Sequence, residues 1–255
     1  MILIVKPADG PEKLRDGVAL VDDLRQQRRD DPDSGASKQR AFEFVKKVYG
    51  GAAVKAALRR AQHDKCCYCE GYFAGHAPGD IEHFRPKTCV QQDHGRRVTY
   101  PGYYWLAYSW ENLFYSCLIC NRSGKKNFFP LTDPAHRRTG PDDLPDREQP
   151  LLIDPSGIDP RDHIRFDGLM PRGVTEMGKT TIRILKLDRG DLKVDRLKHL
   201  KLLQAWLDLA SLDSAQLDEA QREKRERAIE ELQRAVQPEG AYSSMAIDYL
   251  AARAA

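Results

Sequence analysis

Two short runs decide how this chain folds: Cys66-Cys67-Tyr68-Cys69 and Cys117-Leu118-Ile119-Cys120. Each contains one C-x-x-C pair, Cys66 with Cys69 and Cys117 with Cys120. Zinc is held tetrahedrally by four thiolates at about 2.3 Å, and one C-x-x-C turn supplies two of them. Two such turns make a closed site with no position open to substrate, so the zinc they imply has a folding role. A thioredoxin-like redox pair would leave the second C-x-x-C unexplained. Buried structural thiols need no paired spacing. Cys67 and Cys89 fall outside the pairs and read as core or bystander cysteines, with Cys67 an alternative ligand.

The rest of the chain supports a globular reading. It has 255 residues, 41% hydrophobic and 31% charged, enough for one sizeable core or a compact module with helical extensions. No apolar stretch approaches the roughly 18–20 residues that a membrane helix needs. The run Ile2 to Val5 is too short for a signal-peptide core and ends at Lys6-Pro7. The expectation is therefore a cytoplasmic protein with no membrane partner, in which paired cysteines bind metal rather than form disulfides. The net charge of +3 is mild and names no partner by itself. Arg96, Arg97, Arg122, Lys125, Lys126, Arg137 and Arg138 do gather in or near the cysteine segment. An ordinary solvated surface accounts for that gathering equally well.

Outward from the cysteines, pattern and punctuation predict the elements. Ile2 to Val5 reads as a short strand, followed by a Pro/Gly-punctuated loop, and Asp30 to Gly35 as another loop. Lys38 to Arg60 reads as helix, with a break around Gly50-Gly51. Thr139 to Pro150 is polar and Pro-rich, a linker or surface loop. Leu151-Leu152-Ile153 and Ile164-Arg165-Phe166 are strand-like. From Thr180 the chain reads as helical to its end, with an apolar stripe of Leu192, Leu197, Leu200, Leu203, Leu207 and Leu209. Gln221 to Arg234 reads as a charge-laced, solvated helix. The expected divisions are 1–60, a strand plus helical extension; 61–135, the zinc-stapled module; 136–180, loop and short strands; and 181–255, helical.

One motif is set aside. Gly173-Val174-Thr175-Glu176-Met177-Gly178-Lys179-Thr180 matches G-x-x-x-x-G-K-[ST]. A phosphate-cradling loop needs a buried strand before it and a helix after it. Asp167 to Arg172 does not read as a buried strand, and the helical remainder leaves no parallel sheet to build.

Between the cysteine pairs lies Asp80-Ile81-Glu82-His83-Phe84-Arg85-Pro86-Lys87, and beside the second pair lie Asn112-Leu113 and Cys120-Asn121. In order these read C-x-x-C, E-H-x-x-P, N-L and C-x-x-C-N with lysines shortly after. From Cys66 to about Pro130 the segment resembles the HNH endonuclease family. That resemblance implies an α+β fold: a ββα-metal core with a four-cysteine zinc knuckle, flanked by mainly helical N- and C-terminal extensions. Phosphodiester hydrolysis needs an activated water and neutralised phosphate charge. A histidine can take the water's proton near neutral pH, and a divalent cation, Mg²⁺ or Mn²⁺, can bind the phosphate through oxygen ligands. By the resemblance, His83 matches the general base, Glu82 and Asn121 the metal ligands, and Asn112 the residue that orients the histidine. Asp80 is a rival ligand because it shares strand parity with Glu82. Arg85, Lys87, Arg122, Lys125 and Lys126 are candidate nucleic-acid contacts, weighed against ordinary solvated charge.

A longer pattern narrows the resemblance. Tyr103 to Leu113 (YYWLAYSWENL), Asn127 to Leu131, Leu151 to Pro155 and Gly178 to Ile182 are similar to the HNH subunits of Septu-type and retron-linked phage-defence systems, to about Arg196. This implies an ABC/SMC-like ATPase partner, a role in restricting phage, and nucleic acid, DNA first, as substrate. The aromatic run itself reads as core packing before base stacking. Two function classes follow: a metal-dependent endonuclease, or a zinc-stabilised nucleic-acid- or protein-binding module without chemistry. Only the first accounts for Glu82-His83 together with Asn112 and Asn121.

Overall fold

A computed structural model describes residues 1–73, 78–144 and 147–254. Positions 145 and 146 of the expected linker, and the final residue of the expected helical region, lie outside the described residues. The two cysteine runs bracket a small antiparallel sheet. Strand β1 (Asp80–His83) is set against β4 (Leu113–Ser116), with Asp80 opposite Ser116, Glu82 opposite Phe114 and His83 opposite Leu113. Two-residue strands β2 (Val90–Gln91) and β3 (Val98–Thr99) pair within the intervening chain. β4 is buried throughout, which suits its Leu-Phe-Tyr-Ser sequence, and it feeds directly into the second cysteine pair. There the backbone winds into a π-helical segment, Ile119–Lys125, closed by a bond from Lys126 N to Asn121 O five residues back.

Helices flank this centre. On the N-terminal side are α1 (Asp16–Asp30), α2 (Lys46–Tyr49) and α3 (Ala52–Ala61), the last two separated at Gly50-Gly51 as expected. Helix α1 falls within chain whose sequence reads as loop; it is so polar that only Gly17, Val21 and Leu24 are buried. The helix expected from Lys38 begins only at Lys46. Ile2 to Val5 form no strand; Ile4 N donates to Pro155 O at 2.7 Å. Leu151 to Ile153 likewise form none, because Ile153 N is taken by the Thr181 hydroxyl at 3.0 Å.

The C-terminal side holds a hairpin and four helices. Strand β5 (Ile164–Asp167) is where expected, and β6 (Met170–Gly173) pairs with it where the sequence predicts no strand. Helices α4 (Glu176–Leu185), α5 (Gly190–Ala210), α6 (Glu219–Ala235) and α7 (Ser243–Ala254) follow. The G-x-x-x-x-G-K-[ST] run therefore joins an antiparallel hairpin to α4. Its glycines answer to packing: a Cβ at Gly178 would lie 1.9 Å from His163 O, and one at Gly173 2.3 Å from Lys179 N. Of the leucine stripe on α5, Leu192 and Leu203 are buried, whereas Leu197 and Leu209 are exposed. Helix α6 is solvated as expected, with Ala228 and Ala235 buried and a capping box between Asp218 and Gln221. None of the described helices is long and apolar enough to cross a membrane.

One apolar cluster runs from Met1 and Leu24 through Cys66 and Phe114 to Leu192 and Met245, and a smaller one joins Leu203, Ala235, Ala246 and Tyr249 of α5, α6 and α7. Glu70, next to Cys69, is the polar knot of the larger cluster. Its buried carboxylate pairs with the Met1 ammonium and accepts from Ser243 Oγ and Ser244 N at 3.1 Å each. Burial opposes ionisation of Glu70, but the ammonium and Lys65 outweigh it and hold the carboxyl at about 2.

Candidate metal centre and candidate active site

The sheet brings the four cysteines together. Cys67 N donates to Tyr115 O at 3.1 Å, which lays the first C-x-x-C turn against β4, while the second turn continues from β4 itself. The ligand atoms of Cys66, Cys69, Cys117 and Cys120 all lie within 4.8 Å of one another. Four sulfurs at 2.3 Å around a tetrahedral zinc are separated by about 3.8 Å, so this cluster suits zinc after a small contraction. Cys117 N and Cys120 N point at Cys66 Sγ and Cys117 Sγ, each at 3.4 Å, and stabilise sulfur charge. Burial opposes ionisation of Cys66, yet contacts from Cys117, Cys120, Cys67 and Cys69 hold its thiol well below the usual range. Among the described residues, no other group of three or more His, Cys, Asp or Glu converges in this way. Cys67 and Cys89 stand outside the cluster, so Cys67 is not a fourth-ligand substitute here.

The last two residues of β1 are Glu82 and His83, both buried. His83 Nε2 lies 2.9 Å from Ala107 O. A carbonyl can only accept, so Nε2 carries the ring proton and Nδ1 keeps its lone pair. Lys87 Nζ is 3.5 Å from Nδ1, and the Tyr49 ring meets the imidazole edge-on at 4.8 Å. Burial pushes the His83 imidazole well below its usual range, and the Lys87 and Lys125 cations push the same way. Burial also brings Lys87 down to about 8. His83 is therefore a neutral base at neutral pH.

Glu82 accepts from Tyr68 OH at 3.2 Å and faces Lys125 Nζ at 3.3 Å, both contacts falling on Oε1. Lys125, an expected phosphate-facing cation, is instead fully buried and reaches His83 O at 3.5 Å. Burial pushes both members of the pair toward their neutral forms, against their mutual attraction.

Two more expected cations are committed to acids. Arg122 forks onto Asp80 through Nε at 2.7 Å and Nη2 at 3.0 Å. Arg85 Nε donates to buried Glu148 at 3.1 Å, with its guanidinium over Phe129. Lys126 is exposed. Asn112, expected to orient the histidine, bonds not the imidazole but the loop around it. Its Oδ1 accepts from Arg85 N at 2.7 Å, and Nδ2 donates to Arg85 O and Leu106 O. It thus fastens the end of β1 to the turn whose next carbonyl, Ala107 O, holds His83. Asn121 lies in the π-helical segment directly after Cys120 and is half-buried.

The aromatic run is core, as expected: Tyr103, Tyr104, Trp105, Tyr108 and Trp110 are all buried. Residues not singled out from sequence are Tyr68, Tyr49 and Glu148. Tyr68 carries a signal, since it sits inside the first C-x-x-C; the other two touch the site only through long-range folding.

Fold and site define the class of protein: a mixed helix-and-small-sheet chain with a four-cysteine cluster that could hold a metal ion such as zinc. No family model matches the chain, and no solved structure matches it. The chain is similar to a Septu protein PtuB of Bacillus mycoides (strain KBAB4), 36% identical over 173 residues, which is 65% of this chain and 58% of that protein. It is also similar to a Septu protein PtuB of Bacillus thuringiensis, 30% identical over 157 residues, 61% of this chain and 48% of that protein. The matches thus span about half the length of these curated relatives. Over some three fifths of its length the chain is thus similar to Septu PtuB proteins.

Proposed function

We propose that this chain is an HNH-type nuclease subunit of a Septu defence system, hydrolysing phosphodiester bonds of DNA. The observation that carries this reading is the setting of His83: Nε2–H is tied to Ala107 O, Nδ1 keeps a lone pair, and Glu82 lies beside it on β1. A ring held in that tautomer is what a general base for water requires. In this reading β1, β4 and the π-helical segment are the ββα core, and the zinc held by the four cysteines is structural. Glu82 and Asn121 would hold the catalytic Mg²⁺ or Mn²⁺; Tyr68 and Lys125 engage Glu82 Oε1. Bound there, the metal would neutralise charge on the phosphate and leaving oxygen. Burial, with Lys87 acting the same way, holds the imidazole unprotonated, and Asn112 ties the backbone at Arg85 and Leu106 near it. In this reading the chain acts with an ABC/SMC-like ATPase partner to restrict phage; its similarity to Septu PtuB proteins supports a role in a defence system.

A second reading, a zinc-stabilised binding module without catalysis, draws on the pairing of Glu82 with Lys125 and of Asp80 with Arg122. Plasmid nicking with Mg²⁺ or Mn²⁺ separates the two. His83→Ala is expected to slow nicking at least about 100-fold, the lower end for loss of a general base. Equal nicking by wild type and His83→Ala, or none by wild type with or without a candidate ATPase partner, selects the second reading. Co-purification with that ATPase tests the partner.

A further inference from the structure

Three of the five buried side-chain nitrogens and oxygens left without a partner among the described residues lie around one tryptophan. They are Arg25 Nε, Trp105 Nε1 and Arg138 Nε. All three are donors and none can accept. Buried donors are nearly always paired, so three together mark a place where an acceptor belongs.

The surroundings are basic and built. Arg25 lines two neighbouring cavities. One, walled by Trp105, Tyr108, Gly17 and Val21, has a volume of about 230 Å³. The other, between Arg25, Arg28, Arg29, Tyr104, Pro141 and Asp142, has about 290 Å³. The Arg138 guanidinium lies 5.6 Å from the Trp105 ring. Trp105 itself is only 8% exposed. A Cβ at Gly17 would fall 2.3 Å from Tyr108 Cβ, so α1 is pressed onto the aromatic run and the groove wall is fixed. Asp22 contacts Arg25 through Nη1 at 3.4 Å, and Arg138 Nη2 reaches Pro141 O at 3.1 Å; both contacts leave Nε free.

The groove also borders the candidate active site. Tyr108 lies 6.1 Å from Tyr49, whose ring meets His83, and Ala107, between groove residues Trp105 and Tyr108, holds His83 through its carbonyl. Guanidinium forks favour phosphate oxygens, and several arginines in a row suit a chain of phosphates better than one ion.

We propose that this groove binds the phosphodiester backbone of nucleic acid, with Arg25 and Trp105 in its wall and Arg138, Arg28 and Arg29 beside them. The proposal rests on the nuclease reading for its choice of ligand. The test is fluorescence anisotropy of the full zinc-loaded chain with short labelled single-stranded and duplex DNA, across a salt series, without added Mg²⁺ or Mn²⁺. Arg25→Gln/Arg138→Gln should weaken binding about tenfold or more and flatten the dependence of log affinity on log salt by about one unit per lost phosphate contact. Trp105→Phe keeps the ring and removes only the N–H; a drop in affinity there carries the proposal if the arginine variant fails to fold. Arg227→Gln on exposed α6 should bind as wild type. Wild-type affinity and salt slope in both groove variants, or no DNA binding by the wild type at low salt, overturns the proposal. So does displacement of the oligonucleotide by inorganic phosphate as readily as by unlabelled DNA, which would mark a site for the free ion. Plasmid nicking reads the nuclease separately: nicking with unaltered binding in the groove variants removes the groove alone, and lost binding without any nicking removes the nuclease alone.

Discussion

Lys6 shows how single side chains in this chain trade charge against burial. Its ammonium donates to Trp110 O, Glu111 O and Leu113 O at 2.8–3.2 Å, and lies 4.1 Å from the Phe114 ring. Burial nevertheless brings it down to about 8. A base whose folded value lies below its unfolded value of 10.5 binds a proton more readily when unfolded. Its destabilising contribution is thus fully present below about pH 8 and is relieved as pH rises from 8 toward 10.5. Urea unfolding of wild type and Lys6→Met at pH 7 and pH 10 should show the wild type gaining on the variant by on the order of 1–3 kcal/mol. A constant difference between them rules the shift out. Gly178 is a simpler case: Gly178→Ala sets a methyl against His163 O and should cost about 1–3 kcal/mol, read as a lowered denaturation midpoint. At this scale the cysteine ligands are legible in the sequence because two ligands three residues apart are a local pattern. The fates of Arg85, Arg122 and Lys125 are not. Their acids lie 63, 42 and 43 residues away, and no local pattern tells a buried lysine from a solvated one.

Among the elements, β4 matters most. It pairs with β1, is buried throughout and runs into the second cysteine pair, so a metal held by the four cysteines would be coupled to the sheet. Cys117→Ser should release zinc and unfold the 61–135 segment, since structural zinc contributes folding energy outright. Metal content and far-ultraviolet circular dichroism on the same sample check this; a folded, zinc-free variant contradicts it. The π-helical segment follows from the same geometry, placing Cys120 in the cluster and Asn121 one residue beyond it. Strands are hard to read in this sequence because the sheets are only two strands wide. Such pairs need little apolar periodicity, so β6, with Pro171 and Arg172, carries no strand signal, while apolar Leu151 to Ile153 carries one and forms none. Helix α1 is faint for the converse reason: one buried face of three residues competes with seven charged ones.

At the scale of the whole molecule, the metal centre is not confined to its own segment. Arg189, just before α5, places Nη1 3.5 Å from Cys120 Sγ. A guanidinium there offsets the charge of a tetrathiolate, so Arg189→Met should speed zinc release to a chelator several-fold while leaving secondary structure in place. Unchanged release would mean that the C-terminal helices and the knuckle are energetically separate. The larger apolar cluster contains residues from each of the stretches 1–60, 61–135, 136–180 and 181–255, and a smaller one, Leu203, Ala235, Ala246 and Tyr249, lies within the last.

That continuity bears on how the protein is made. Glu70, beside the knuckle, meets Ser244, 174 residues later in the chain. At roughly 5–20 residues per second, a ribosome needs about 9–35 s to travel that distance. For most of that interval the cysteine segment is already outside the exit tunnel with its polar knot untied. Synthesis therefore imposes a delay between the emergence of Glu70 and the arrival of Ser243 and Ser244, which complete its hydrogen bonds. The stretch from Cys66 to Glu70 thus spends that time with its buried carboxylate waiting for the hydroxyl and amide that arrive last.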